Sequence, residues 1–401
     1  MTTALNQPRP TTPFRPQIPV VAAALALIAG GSGYLGHAVS GRQAALLIIG
    51  SALGIALYHA MFGFTGAWRR FLTDGRGQGV RAQLIMLAMA STAFALLLTF
   101  TGGLGAAIAP IGVSVIAGAF LFGIGMQLGG GCASGTLVTV GGGSTRMALT
   151  LIGFVAGSVI GTLHMPWWLA QPAFTGVSMY RELGWAGGLG IQLAVLTALY
   201  SVTVFLEHRR HGSLERGQRL TGGLDRIWRG GWPLLWGAGA LAALNVVTLL
   251  VAGRPWGITW GFALWGAKIV DAAGIDISTA TYWHWPYPAR ALAAPLAEDI
   301  TSVMNIGIVC GALLAAGLAG KFSPILRIPL PSVAAAIFGG LFLGYGARLA
   351  FGCNIGALFS GVASGSPHGW LWLVFALAGT YAGIRLRPMF RLTTAPATAA
   401  A

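Results

Sequence analysis

The sequence predicts an all-α, polytopic integral membrane protein. About nine transmembrane helices, with short re-entrant or broken helices, form pseudo-symmetric internal repeats whose four Gly-rich loops meet at the centre. Three observations predict this. The 401 residues are 55% hydrophobic and 8% charged, whereas a soluble domain uses roughly 25% charged residues to clothe its surface. Apolar stretches near the ~20 residues that cross a bilayer as a helix recur along the whole chain. A segment rich in Gly and centred on Cys occurs twice.

Taken in chain order, residues 1–19 are polar and Pro-rich, and the apolar stretch 20–37 reads as a retained helix because no convincing small-residue cleavage site follows it. The other full spans fall at 82–100, 106–128, 147–165, 187–206, 232–251, 300–319, 328–350 and 370–384. Two shorter Gly-rich stretches, 43–60 and 256–267, read as broken or re-entrant segments. A basic linker at 208–229 separates a first repeat half, 1–207, from a second, 230–401.

The formal charge is +15, carried by 22 Arg and 2 Lys. In a soluble protein that would suggest a nucleic-acid partner; here cytoplasmic retention of positive loops is the plainer account, with the lipid bilayer as partner and no nucleic acid. The densest run holds Arg209, Arg210, Arg216, Arg219, Arg226 and Arg229, which makes that loop cytoplasmic. Arg69, Arg70, Arg76 and Arg81 belong to the same side, and the aromatic, nearly uncharged segment 166–185 to the other. Arg9, Arg15, Arg385, Arg387 and Arg391 leave the termini open: an odd number of spans would put them on opposite sides.

Comparison of the halves exposes the repeat. Residues 118–137 (GAFLFGIGMQLGGGCASGTL) align without gaps on 339–358 (GGLFLGYGARLAFGCNIGAL), with 8 of 20 positions identical. Cys132 falls on Cys353, Gly131 on Gly352 and Gln127 on Arg348, at an offset of 221 that Pro110 and Pro331 share. A weaker match joins 54–63 (GIALYHAMFG) to 257–266 (GITWGFALWG), so the second half holds about 18 extra residues, accounted for by the aromatic, Pro-rich stretch 282–298. That insertion reads as an interfacial loop or short amphipathic helix. Non-helical backbone at membrane depth persists only where protein buries it or where it lines a polar cavity, so four interruptions imply a shared central site.

Cys132 and Cys353 stand in equivalent interruptions, whereas Cys310 lies mid-span without a repeat partner and reads as a small core residue. A disulfide between Cys132 and Cys353 stays open until geometry decides it. Neither has Cys or His at metal-ligand spacing, and no Cys-x-x-Cys pair occurs, so no metal or other cofactor is expected. A neutral thiol donates a weak hydrogen bond to a soft acceptor, which points to a sulfur- or selenium-containing substrate. Lys268 and Arg348 sit in or beside interrupted segments and suit an anion, although snorkelling to the interface is an equal alternative. His59 in the first interruption, Asn354 after Cys353, and Gln127 complete the candidate set. The nine carboxylates avoid the clear spans, which argues against a proton relay and for a facilitated or channel-like path. No phosphate-binding P-loop occurs.

Four strings in order carry a family resemblance: GFTGAWRR at 63–70, GCASG at 131–135, GFALWGAK at 261–268 and GCNIG at 352–356. With them the chain resembles the YeeE/YedE family of sulfur-transport membrane proteins over most of its length. The resemblance implies an hourglass-shaped bundle in the bacterial inner membrane, thiosulfate as the transported anion, and a path between loop cysteines that map onto Cys132 and Cys353. A further cysteine near the mouth in some members has no counterpart, because the first loop offers His59. The expected function is therefore thiosulfate uptake without enzymatic chemistry, with a cytoplasmic sulfur-carrier protein as a further partner. A transporter of a selenium-containing anion and a membrane thiol oxidoreductase are the alternatives.

Overall fold

The computed structural model describes residues 15–215, 225–325 and 327–393; Arg9, Arg216 and Arg219 of the basic segments lie outside them. Before the linker run α1 (Ile18–Ala38), α2 (Gly41–His59), α3 (Phe64–Asp74), α4 (Gln78–Phe100), α5 (Val113–Gly129), α6 (Ala133–Gly141), α7 (Thr145–Leu169), α8 (Met179–Glu182) and α9 (Gly184–His211). After α10 (Arg226–Arg229) come α11 (Leu234–Ala252), α12 (Thr259–Ala272), α13 (Pro286–Ala293), α14 (Ile300–Leu318), α15 (Leu330–Leu349), a π-helical segment (Asn354–Phe359) running into α16 (Ser360–Ala363), and α17 (Pro367–Leu386). Among the described residues the strands are β1 (Ile111–Gly112) and β2 (Ala173–Phe174), paired antiparallel.

Ten helical segments of the described residues are long and apolar enough to cross a membrane. The tenth beyond the expected nine comes from residues 43–60, which are not broken: α2 is one continuous helix. Its glycines serve close packing instead. A Cβ at Gly54 would meet the backbone of Ile308 and lie 2.9 Å from the Ala312 nitrogen of α14, the small-residue contact that lets membrane helices approach. Segment 256–267 is indeed short, as α12 has 14 residues after a loop at 253–258. The expected span at 106–128 starts later, at Val113, because the residues up to Pro110 form no helix and Ile111–Gly112 pair as β1. The insertion 282–298 folds as 3-10 turns around α13.

Helix starts follow local chemistry. Ser40, Ser144 and Asp299 cap α2, α7 and α14 by accepting from backbone N–H groups. Proline opens α1, α15 and α17, where its missing N–H is harmless.

The packing recurs in matched pairs. Helix α7 packs on α15 as α17 packs on α5; α2 packs on α14 as α11 packs on α4; α12 meets α7 as α3 meets α17; α6 meets α14 as α16 meets α4. Helices α5 and α15 pack directly on each other. They run antiparallel, with Gly118 against Gly346 and Gly125 against Gly339 and Leu343. Their C-terminal ends therefore point to opposite faces.

The basic clusters share one face. Arg76 and Arg81 reach Glu207 at 3.2 and 2.6 Å, and Arg70 reaches Glu215 at 2.7 Å. The Glu207 carboxylate is fully buried and also accepts from the Gly77 nitrogen at 3.0 Å. Arg387 donates to the Gln127 carbonyl at the end of α5 (2.6 Å), and the Gln17 nitrogen donates to Gly317 at the end of α14 (2.9 Å). Both ends of the described chain thus lie on the arginine-rich face, as ten crossings require.

Candidate functional site

Cys132 and Cys353 each end a helix break. After α5, Gly130 takes φ +93°, and after α15, Gly352 takes φ +153°, conformations that only glycine adopts without strain. The next residue in the first break, Gly131, and the glycine pair around Cys353 leave room for the turn. Cys132 caps α6, its sulfur accepting from the Gly135 nitrogen at 3.4 Å and lying 3.3 Å from the Ser134 hydroxyl. Cys353 caps the π-helical segment, accepting from the Ile355 nitrogen at 3.4 Å. Both are buried, and all three cysteines are free thiols, which answers the disulfide question left open by the sequence.

A cavity approaches each loop. One of about 710 Å³ opens toward the arginine-rich face and is lined by Gly131, Cys132, Gly135 and His59, with Arg146, Arg229, Lys321 and Arg327 supplying positive charge. The other, about 130 Å³, is lined by Gly352, Gly356, Arg348, Arg254 and Trp260. Because α5 and α15 are antiparallel, the cavities enter from opposite faces. The glycines flanking Cys132 line the first and those flanking Cys353 line the second, while Cys353 itself is sealed between them.

The remaining candidates divide. His59 sits at the end of α2, its carbonyl accepting from the Trp232 nitrogen at 3.0 Å and its ring 5.5 Å from the Trp232 ring. Its ring nitrogens find no hydrogen-bond partner among the described residues. Asn354 is fully buried beside Cys353, and neither end of its amide has a partner among the described residues. The Gln127 side chain donates to the Thr65 carbonyl at 3.3 Å and lines neither cavity. Lys268 donates to the Leu292 carbonyl at 2.7 Å, which occupies it outside both cavities. Cys310 is buried within α14 and lines neither cavity.

Sequence reasoning missed the amides that hold the loop before α12 at membrane depth. Asn245 accepts from the Trp256 nitrogen (2.9 Å) and donates to the Ser360 hydroxyl (3.4 Å), which donates to the Trp256 carbonyl (2.7 Å). Asn305 donates to the Ile258 carbonyl at 3.0 Å. Their signal was present: an amide in mid-span is rare unless it satisfies backbone that lipid cannot. Arg146 was also missed. It donates to the Leu128 and Gly129 carbonyls at 2.8 and 2.6 Å and so caps the C-terminus of α5 beside the Cys132 loop.

Comparison with known proteins finds relatives along most of the chain. Thiosulfate transporter TsuA of Spirochaeta thermophila is 28% identical over 355 residues, covering 84% of this chain and 96% of that protein. TsuA of Escherichia coli is 23% identical over 369 residues, or 88% of this chain and 97% of that protein. Probable transporter YedE of Escherichia coli is 31% identical over 157 residues, and the chain spans only 38% of the length of that relative. The sequence pattern of the family described as sulphur transport matches residues 59–382, which contain the four strings at 63–70, 131–135, 261–268 and 352–356. The chain is therefore a multi-pass membrane protein of the sulphur-transport (YeeE/YedE) family.

Proposed function

We propose that the protein takes up thiosulfate, or a similar small sulfur-containing anion, across the bacterial inner membrane by passing it between the loops of Cys132 and Cys353. One observation carries the reading: two buried thiols cap equivalent helix breaks, and the glycines beside each line a cavity from a different face. The extent of the match to proteins named thiosulfate transporters supports the choice of anion.

The chemistry is reversible and non-covalent. A neutral S–H donates weakly to the polarisable terminal sulfur of thiosulfate, and a weak contact lets the ion leave as readily as it arrives. Gly131 and Gly352 keep the backbone open at each step, Asn354 offers its unpartnered amide beside Cys353, and His59 and Arg348 face the two cavities. Gln127, Lys268 and Cys310 support the frame. Positive residues gather on the Cys132 side, which we take as cytoplasmic; the anion then moves from the small cavity to the large one, down the attraction of that basic face. Residues 1–207 and 230–401 act as the two repeats on either side of the 208–229 linker. A soluble sulfur carrier would meet the basic face.

The test is uptake of labelled thiosulfate into cells lacking other importers. Uptake that depends on this protein and is absent with its deletion supports the reading; growth on thiosulfate unaffected by the protein overturns it.

A further inference from the structure

We propose that Phe351 is a gate on the Cys353 side of the path: a strained aromatic side chain that seals the Cys353 thiol from the small cavity and limits the size of what reaches it. Its place in uptake rests on the transport reading above; its control of access to Cys353 does not.

Phe351 follows the cap of α15 in the left-handed region, at φ +56°, two residues before Cys353. The Gly352 nitrogen donates to the Ala347 carbonyl at 2.9 Å and the Phe351 nitrogen to the Arg348 carbonyl at 3.4 Å. That is the Schellman pattern, in which the left-handed residue is usually glycine because a Cβ there crowds the backbone. The first half obeys this preference: the residue aligned with Phe351 is Gly130, at φ +93°. A bulky side chain held in a costly backbone conformation is kept there by its surroundings and points to a function. Here the ring packs against both the main core and the smaller cluster around Leu264 and Trp283, and it lines the cavity of about 130 Å³ beside Gly352 and Gly356.

The two halves show what the ring does. Between helix end and thiol the loops read Gly130-Gly131-Cys132 and Phe351-Gly352-Cys353, so the ring is their one difference. Where Gly130 stands, the cavity has about 710 Å³ and Cys132 itself lies on its wall. Where Phe351 stands, the cavity has about 130 Å³ and reaches the glycines flanking Cys353 but not Cys353, which is fully buried. The strain also favours opening. Gly352, at φ +153° and without a side chain, is a pivot. Return of Phe351 to an ordinary φ relieves its backbone as the ring leaves the thiol, which offsets part of the packing lost and keeps the sealed and open forms close in energy.

The test is the rate at which Cys353 is labelled in purified full-length protein with Cys132 and Cys310 changed to Ala, using the small anion sulfonatoethyl methanethiosulfonate and, separately, a bulky aryl maleimide. Phe351→Leu and Phe351→Gly are expected to speed labelling by both reagents at least tenfold, with the larger gain for the bulky one, and Phe351→Trp is expected to label no faster than Phe351. The Leu variant keeps an apolar side chain in the packing and carries the test if the Gly variant does not fold. Rates in folded variants that do not follow the size of residue 351 overturn the proposal. A matching rise at Cys310, kept as the sole thiol in parallel variants, would mark general loosening of the bundle and also overturn it. Vesicle uptake separates the gate from the transport reading: labelling that follows residue 351, with no thiosulfate uptake by wild-type protein, leaves the gate standing and removes its role in transport, whereas normal uptake with labelling indifferent to residue 351 does the reverse.

Discussion

The sulfurs of Cys132 and Cys353 occupy the same place in their two loops, each accepting a backbone N–H at 3.4 Å from the first turn of the helix that follows. Such a bond is weak, so neither thiol is needed to hold its loop. Cys132→Ala and Cys353→Ala are expected to fold in normal amount, with thermal midpoints within a few degrees of wild type. Each is expected to reduce thiosulfate uptake at least tenfold. Full uptake in both variants would remove the cysteine path.

Asn354 is buried with its whole amide unpartnered among the described residues. Burying such a group without hydrogen bonds costs about 1–3 kcal/mol. Asn354→Leu is expected to raise the thermal midpoint while lowering uptake, because a residue kept at an energetic loss beside Cys353 serves the anion and not the fold. A variant that is less stable yet transports normally would contradict this.

Asn245 is the opposite case, since its amide is used at both ends by Trp256 and Ser360. Asn245→Leu strands a buried backbone N–H and is expected to destabilise the protein by about 1–3 kcal/mol. A midpoint equal to wild type in a detergent melt would show that the loop before α12 finds its hydrogen bonds elsewhere.

Gly344 faces α7 so closely that an added Cβ would lie 2.5 Å from the Ser158 nitrogen and 2.8 Å from the Gly157 carbonyl carbon. Gly344→Ala must push two helices apart and is expected to cost about 1–3 kcal/mol and to lower the yield of folded protein. Gly190→Ala on α9, where a Cβ meets nothing within 4 Å, is expected to be neutral. Equal yields for the two would refute the close-packing account.

Orientation is checked by labelling. Arg290, in α13, and Arg385, near the end of α17, are both exposed. With Cys132, Cys310 and Cys353 changed to Ala, Arg290→Cys is expected to react with an impermeant maleimide in intact cells and Arg385→Cys only after permeabilisation. The reverse pattern would invert the direction of the path.

Much of this was legible in the chain because transfer into a bilayer is a local property: composition and stretches of ~20 apolar residues sum the same way in any fold. The repeat also survived in one dimension, since Cys132 and Cys353 and their glycines keep one spacing. Which glycines break a helix and which pack it was not legible. Gly54 and Gly131 look alike in sequence, yet one lies under α14 and the other opens a turn, and only the neighbouring backbone distinguishes them. The fate of each arginine was likewise settled in three dimensions. Arg146 is occupied by the carbonyls ending α5, while Arg348 keeps its donors because the helix end beside it is satisfied by the Ser114 hydroxyl, which donates to the Leu349 carbonyl at 2.6 Å. Sequence alone determined the solvent in which this protein folds and the symmetry it carries; tertiary structure decided which polar groups are left without partners. A hydrogen bond depends on what lies within about 3 Å in space, and that neighbour is 17 positions away for Arg146 and Gly129 but 235 away for Ser114 and Leu349.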